Sequence, residues 1–75
     1  MCLDCGEDTG RMREHYFVKT EVWMRAHHSI RGMLCVGCLE GRIGRTLVAD
    51  DFTDAHINNP KLYPMSDRLR NRLGA

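Results

Sequence analysis

The sequence predicts a single small α+β domain that something other than its hydrophobic core must hold closed. Three observations lead there. The chain has 75 residues and few aromatics (Tyr16, Phe17, Trp23, Phe52 and Tyr63), and a domain of that size buries only about 60% of the surface its unfolded chain exposes. Four cysteines fall in two equally spaced pairs, CLDC at 2–5 and CVGC at 35–38. Short β-favouring runs alternate with short helical ones. Scaffolds this small commonly add disulfides, a metal or a partner, so the cysteine pairs are the first candidates for closure.

Taken in order, residues 1–10 are acidic, with Asp4, Glu7 and Asp8, and Gly6 and Gly10 allow tight turns. EHYFVK at 14–19 carries Tyr16, Phe17 and Val18 and suits a short strand. Thr20 can cap a helix from Glu21 that places Val22, Trp23 and Ala26 on one side. Gly32 ends that region, and GMLC at 32–35 reads as a second strand, with residues 15–19 pairing against 31–34. From Val36 the pattern becomes helical: Val36, Leu39 and Ile43 share a face, and Gly44 is a natural stop. Gly37 and Gly41 each weaken this helix by roughly 1 kcal/mol relative to Ala, so its first turn needs an anchor. Asp50 or Asp51 starts a further helical turn through Phe52 and Ala55, and Asn58, Asn59 and Pro60 break the chain. Ser66 then caps DRLRNRL, with Leu69 and Leu73 one turn apart and Gly74 behind them. The expected division is a domain over residues 1–59 and a tail over 60–75 whose short basic helix packs on it or extends from it.

The pattern Cys2-x2-Cys5-x29-Cys35-x2-Cys38 is the strongest signal in the chain. Two intervening residues let both sulfurs of a pair turn toward one ion, and two such pairs supply the four soft ligands of a closed tetrahedral zinc site. Four sulfurs leave no position for water, so the expected Zn²⁺ is single and structural. With Cys35 and Cys38 at the start of the helix, the ion fixes the turn where nucleation is costly, and the positive helix end faces the thiolates. Two other readings stay open: the pairs act as redox dithiols or two disulfides, or His27 or His28 replaces Cys2, which follows Met1 at a chain end.

Charge excludes a global nucleic-acid-binding field. Eleven Lys and Arg stand against ten Asp and Glu, for a formal +1; four thiolates on a divalent ion turn this to −1. Such a protein reaches nucleic acid only through a local patch. Arg68, Arg70 and Arg72, with Arg42, Arg45 and Lys61, are the candidates for phosphate contact; a solvated helix face is the plainer role for the C-terminal arginines. The acidic, cysteine-bearing start does not look like a signal peptide, and paired thiols suit a reducing compartment. The expected location is therefore cytoplasmic, with no membrane partner.

The knuckle at Cys2 and Cys5, a hairpin region, and a second knuckle running into a helix together resemble the treble-clef arrangement. More specifically, EVW at 21–23, MLCVGCLEGRIGR at 33–45 and DDFTDAHIN at 50–58 resemble a group of small actinobacterial and actinophage zinc-finger-like proteins of unknown function. The chain departs from that group at Val48 and Ala49, where Thr-Pro is expected, and at His56, where proline is common. The resemblance implies the zinc site and a phage or prophage accessory role; it supplies no activity.

His15, His27, His28 and His56 are the side chains suited to acid–base work near neutral pH. A treble clef can carry a metal-dependent nuclease of the His–Asn–His type, which needs a histidine beside a second, partly open metal site. His56 with Asn58 and Asn59 echoes it, but in the wrong order and after the helix. Asp50, Asp51 and Asp54 suit the charge of a helix start better than a Ca²⁺ loop, which needs oxygen ligands at alternating positions. Trp23 is expected to pack beneath the helix after Cys35. The function expected is thus a non-enzymatic zinc module that binds nucleic acid or another protein, with a nuclease as the alternative.

Overall fold

Three short helices, α1 (Thr20–Ala26), α2 (Val36–Ile43) and α3 (Asp67–Leu73), are the main regular elements of the computed structural model, which describes residues 1–29 and 32–74. Two 3₁₀ turns, Ala49–Asp51 and His56–Asn58, lie between α2 and α3. β structure among the described residues is limited to two isolated bridges, Cys2 with Met33 and Val18 with Phe52. Among the described residues, no helix is long and apolar enough to cross a membrane.

The helix boundaries follow local chemistry. Ser66 caps α3, its side-chain oxygen accepting the Leu69 N–H at 3.0 Å. Gly44 and Gly74 stop α2 and α3 in the left-handed region, at φ of 76° and 82°, where a β-carbon would be strained. α1 begins at Thr20 itself, one residue before the expected start, with Lys19 at its cap and no side-chain cap bond.

The expected pairing of residues 15–19 with 31–34 is not what forms; Arg31 lies outside the described residues. Val18 instead bridges Phe52 in antiparallel sense, with Lys19 N–H donating to Asp51 O at 2.8 Å and Thr53 N–H to Phe17 O at 3.2 Å. Met33 bridges Cys2 in parallel sense, with Leu3 N–H donating to Met33 O at 2.8 Å. The physical reason is burial. Glu14 and Tyr16 point inward while His15 and Phe17 point out, so the segment lies on the core as an extended strap. Tyr16 still reaches the second segment, through its hydroxyl to Leu34 O at 2.8 Å.

Leu34, Val36, Leu39 and Leu69 are fully buried at the centre, with Tyr16, Trp23, Leu47, Phe52 and Met65 around them. Tyr16 and Phe52 meet edge to face at 5.9 Å. Trp23 is buried with this cluster, where α1 packs on α2, and its indole N–H donates to Ser29 O at 2.6 Å. The core therefore draws on all three helices, and Leu69 joins residues 60–75 to it.

Candidate metal centre

The first cysteine pair sits on a tight turn: Cys2 N–H donates to Glu7 O at 2.8 Å, and Gly6 N–H returns to Cys2 O at 3.1 Å. The second pair opens α2. Cys35 is its N-cap, Leu39 N–H donates to Cys35 O at 3.0 Å, and Cys38 lies in the first turn. The bridge between Cys2 and Met33 brings the two pairs face to face.

The four sulfurs converge, all lying within 4.8 Å of one another. Cys5 and Cys35, one from each pair, are 3.9 Å apart. A tetrahedral ion with Zn–S bonds of about 2.3 Å requires sulfurs separated by about 3.8 Å, so the spacing fits one zinc. A disulfide needs about 2.05 Å. Cys2 and Cys35 are buried, Cys38 half-buried and Cys5 exposed, which leaves one edge through which an ion can enter.

The acidities point the same way. Burial pushes the Cys2 thiol up, but the backbone N–H groups of Cys5, Cys35 and Asp4 outweigh it and bring it down to about 6. At Cys5 the Glu7 backbone favours the thiolate, yet the neighbouring Cys2 and Cys35 thiols and burial prevail and raise it. Cys38 is raised well beyond the ordinary thiol range, chiefly by its contact with Cys35 and then by burial. One thiolate forms readily while Cys5 and Cys38 resist further charge, a crowding of negative charge that a divalent cation relieves.

Among the described residues, these cysteines are the one group of three or more His, Cys, Asp or Glu whose ligand atoms converge. His27 is placed elsewhere: its ring stacks on His28 at 4.6 Å and its Nδ1 accepts the Ser29 N–H at 3.1 Å. His15 lies edge-on to Phe17 at 6.2 Å, and His56 is exposed in its 3₁₀ turn. Asp51 is committed to Arg45 and to the Val48 N–H, and Asp50 to Lys19.

Four of the six cationic side chains singled out for phosphate contact are held by carboxylates. Arg42 pairs with Asp4 through two bonds, one of them 2.9 Å from Nε, and donates to Ala26 O at 3.0 Å. Arg45 grips Asp51 with both terminal nitrogens, at 2.7 and 2.9 Å. Arg68 grips Glu14 at 3.0 and 2.7 Å, and Arg72 grips Glu40 at 2.7 and 3.3 Å. Lys61 and Arg70 are exposed without an ion pair among the described residues.

Glu14 is the residue that reading the sequence misses. It is 2% exposed and accepts from Val36 N–H at 3.0 Å, from Ser66 Oγ at 2.7 Å and from two nitrogens of Arg68. Burial pushes its carboxyl up, but Arg68, Ser66 and the Val36 N–H more than offset this and hold it below the usual carboxylate range. The alternation of inward Glu14 and Tyr16 with outward His15 and Phe17 is the one sequence signal that could have marked it.

No protein-family model matches the chain, and no curated protein or solved structure matches it either. The four-cysteine cluster therefore defines its class: a small domain with a possible metal site, for which zinc is the fitting ion.

Proposed function

We propose that this chain is a small structural-zinc module of treble-clef type, non-enzymatic, that docks on a protein partner in a reducing compartment such as the host cytoplasm. The convergence of four thiols from a tight turn and a helix start carries this reading. The treble-clef comparison is supported by the two knuckles and by α2 following the second; in place of the hairpin stand an extended strap and α1. A structural zinc contributes about 10–16 kcal/mol in small peptides, against a total of roughly 4–11 kcal/mol expected for a folded chain of this length. Metal capture is then the step that makes folding favourable. A phage or prophage accessory role rests on the resemblance of residues 21–23, 33–45 and 50–58.

The ion pairs favour a protein partner over nucleic acid. Drawing Arg68 onto a phosphate leaves Glu14 buried without its cation, a loss that typically costs about 3–5 kcal/mol. Exposed apolar side chains at Phe17, Met24, Leu62 and Tyr63 offer contact area instead.

The metal reading is tested by elemental analysis of protein purified without added metal, followed by chelation. One zinc per chain, with structure lost on its removal, is expected; metal-free protein that keeps its fold refutes it. The partner reading is tested on immobilised DNA at low salt, where no retention is expected. Retention that falls when Lys61 and Arg70 become Ala would transfer the assignment to nucleic acid. Plasmid nicking with Mg²⁺ or Mn²⁺ that His56→Ala abolishes would make the protein a nuclease.

A further inference from the structure

Glu14 and Arg68 act together on the two residues that separate Cys35 from Cys38. Glu14 Oε1 accepts the Val36 N–H at 3.0 Å and Arg68 Nη2 at 2.7 Å. The other prong of the guanidinium, Nη1, lies over Gly37, where a β-carbon would stand 2.6 Å from it. Val36 and Gly37 are the whole spacer between the two ligands, so carboxylate and fork together clamp the peptide that sets their separation. Both carboxylate oxygens of Glu14 hold Arg68 in that position. The second of these oxygens also accepts Ser66 Oγ at 2.7 Å, and Ser66 caps α3. The clamp therefore runs from the metal-ligating turn of α2 into the start of α3.

We propose, resting on the zinc reading above, that Glu14 and Arg68 are positioning residues of the metal centre, holding the spacer between Cys35 and Cys38 in its ligating shape and slowing loss of the ion from that half of the site. Gly37 is the complementary part of the device, because any side chain there meets the guanidinium. Coupling between sites is reciprocal, so metal capture strengthens the docking of α3 by the same free energy with which α3 docking strengthens metal capture.

The experiment compares zinc-loaded wild type with Arg68→Lys, Arg68→Ala and Gly37→Ala. Lysine keeps the charge without the planar fork, and Gly37→Ala keeps Arg68 but displaces it. Two readouts are taken: the rate of zinc transfer to a chromogenic chelator, and the alkylation of each cysteine by iodoacetamide, resolved by mass spectrometry. Partners that orient metal ligands typically contribute 10–100-fold to metal affinity, so transfer about 10–100-fold faster is expected in all three variants, with no rescue by lysine. Alkylation of Cys35 and Cys38 relative to Cys2 and Cys5 should rise above the wild-type ratio. Should Arg68→Ala fail to fold, the other two carry the test. Transfer at the wild-type rate in folded Arg68→Lys and Gly37→Ala overturns the proposal. So does faster alkylation of all four cysteines in an unchanged ratio, which general destabilisation produces. Wild type that takes up no zinc removes the zinc reading and the proposal with it, whereas zinc-loaded wild type with unaltered variants overturns the proposal alone.

Discussion

Replacing Glu14 by Gln should cost this protein more than any surface substitution, and the structure sets the size of the loss. The carboxylate takes four hydrogen bonds on two oxygens, from Val36 N, Ser66 Oγ, Arg68 Nε and Arg68 Nη2. Glutamine offers one oxygen. Turned toward Val36, it keeps that bond, and its amide N–H₂ donates to the Ser66 hydroxyl, which rotates to accept. What remains lost is the charge-assisted fork with Arg68. Bonds to charged groups are worth about 1.5–3 kcal/mol each, but the Arg68 side chain is 38% exposed and regains water. A net loss of about 2–3 kcal/mol follows. Glu14→Ala also strips Val36 N–H of its acceptor and should lose about 3–5 kcal/mol. For a domain of this size 1 kcal/mol moves the melting temperature by about 4–8 °C, so Glu14→Gln should melt roughly 8–24 °C lower.

The assay is thermal unfolding by circular dichroism at fixed, saturating zinc, repeated down the acid range. Because Glu14 sits below the usual carboxylate range when folded, its contribution is complete above its unfolded value of about 4.3 and disappears as pH falls through the folded value. Compared at pH values where both proteins still hold their zinc, the difference between wild type and Glu14→Gln should shrink toward acid. A Glu14→Gln protein within about 0.5 kcal/mol of wild type at neutral pH, the scale of ordinary surface changes, would refute the reasoning.

Three further outcomes are expected. Leu39→Ala empties a fully buried position on α2 and should lose about 2–5 kcal/mol by denaturant unfolding. Asn58 accepts from Phe17 N–H at 2.9 Å and donates to Phe17 O at 2.7 Å and Thr53 O at 2.9 Å. Asn58→Asp sets a carboxylate oxygen against both carbonyls and should lose about 2–3 kcal/mol, a deficit that narrows in acid as the group regains a proton. Cys5→Ser replaces a soft ligand with a poor one while leaving the other three sulfurs, and should weaken cobalt or zinc retention in a competition titration while Met1→Ala leaves it unchanged.

The convergence of the four cysteines is legible because coordination chemistry writes itself into spacing: two residues between paired cysteines, then a helix start. The ends of α2 and α3 were legible for a similar reason, since Ser66, Gly44 and Gly74 act on their own neighbours. The β pairing is not legible in the sequence, because one bridge between distant segments leaves no local trace. Val18 favours β structure, but nothing near it says that Phe52 is its partner. Asn58 marks a break in the chain, as its composition suggests; that its side chain also ties Phe17 to Thr53 depends on geometry set elsewhere. Glu14 was hidden most deeply. A glutamate in a polar stretch looks solvated, and only the convergence of Val36, Ser66 and Arg68 makes burial tolerable. Gly37 changes meaning in the same way, from a weakness in a helix to the space Arg68 occupies. Nothing in the structure explains Gly41.

The near-neutral formal charge of +1 conceals how these charges are spent. Arg42 with Asp4 ties the first cysteine turn to α2, Arg68 with Glu14 ties the start of α3 to the head of α2, and Arg72 with Glu40 ties α3 to the middle of α2. Glu40 also accepts the Leu47 N–H at 2.7 Å, fixing the chain just beyond α2. Two of these ties end on α2 and the third reaches it through the Val36 N–H that Glu14 accepts, while two of the four sulfurs lie at its cap and first turn. A helix of eight residues with two glycines is too short to persist in isolation, so its order comes from the cysteine cluster at its head and the pairs along its length. On the zinc reading proposed above, removing the ion would undo the first of these and weaken the anchorage of the rest, because Glu14 grips α2 at Val36, directly beside Cys35. The pairs alone do not hold the fold: outside a dry interior such bonds contribute about 0–1 kcal/mol each, and only Glu14 lies deep enough to exceed that. The arginines of this protein thus serve to orient α3 and the second cysteine pair about the four-sulfur cluster.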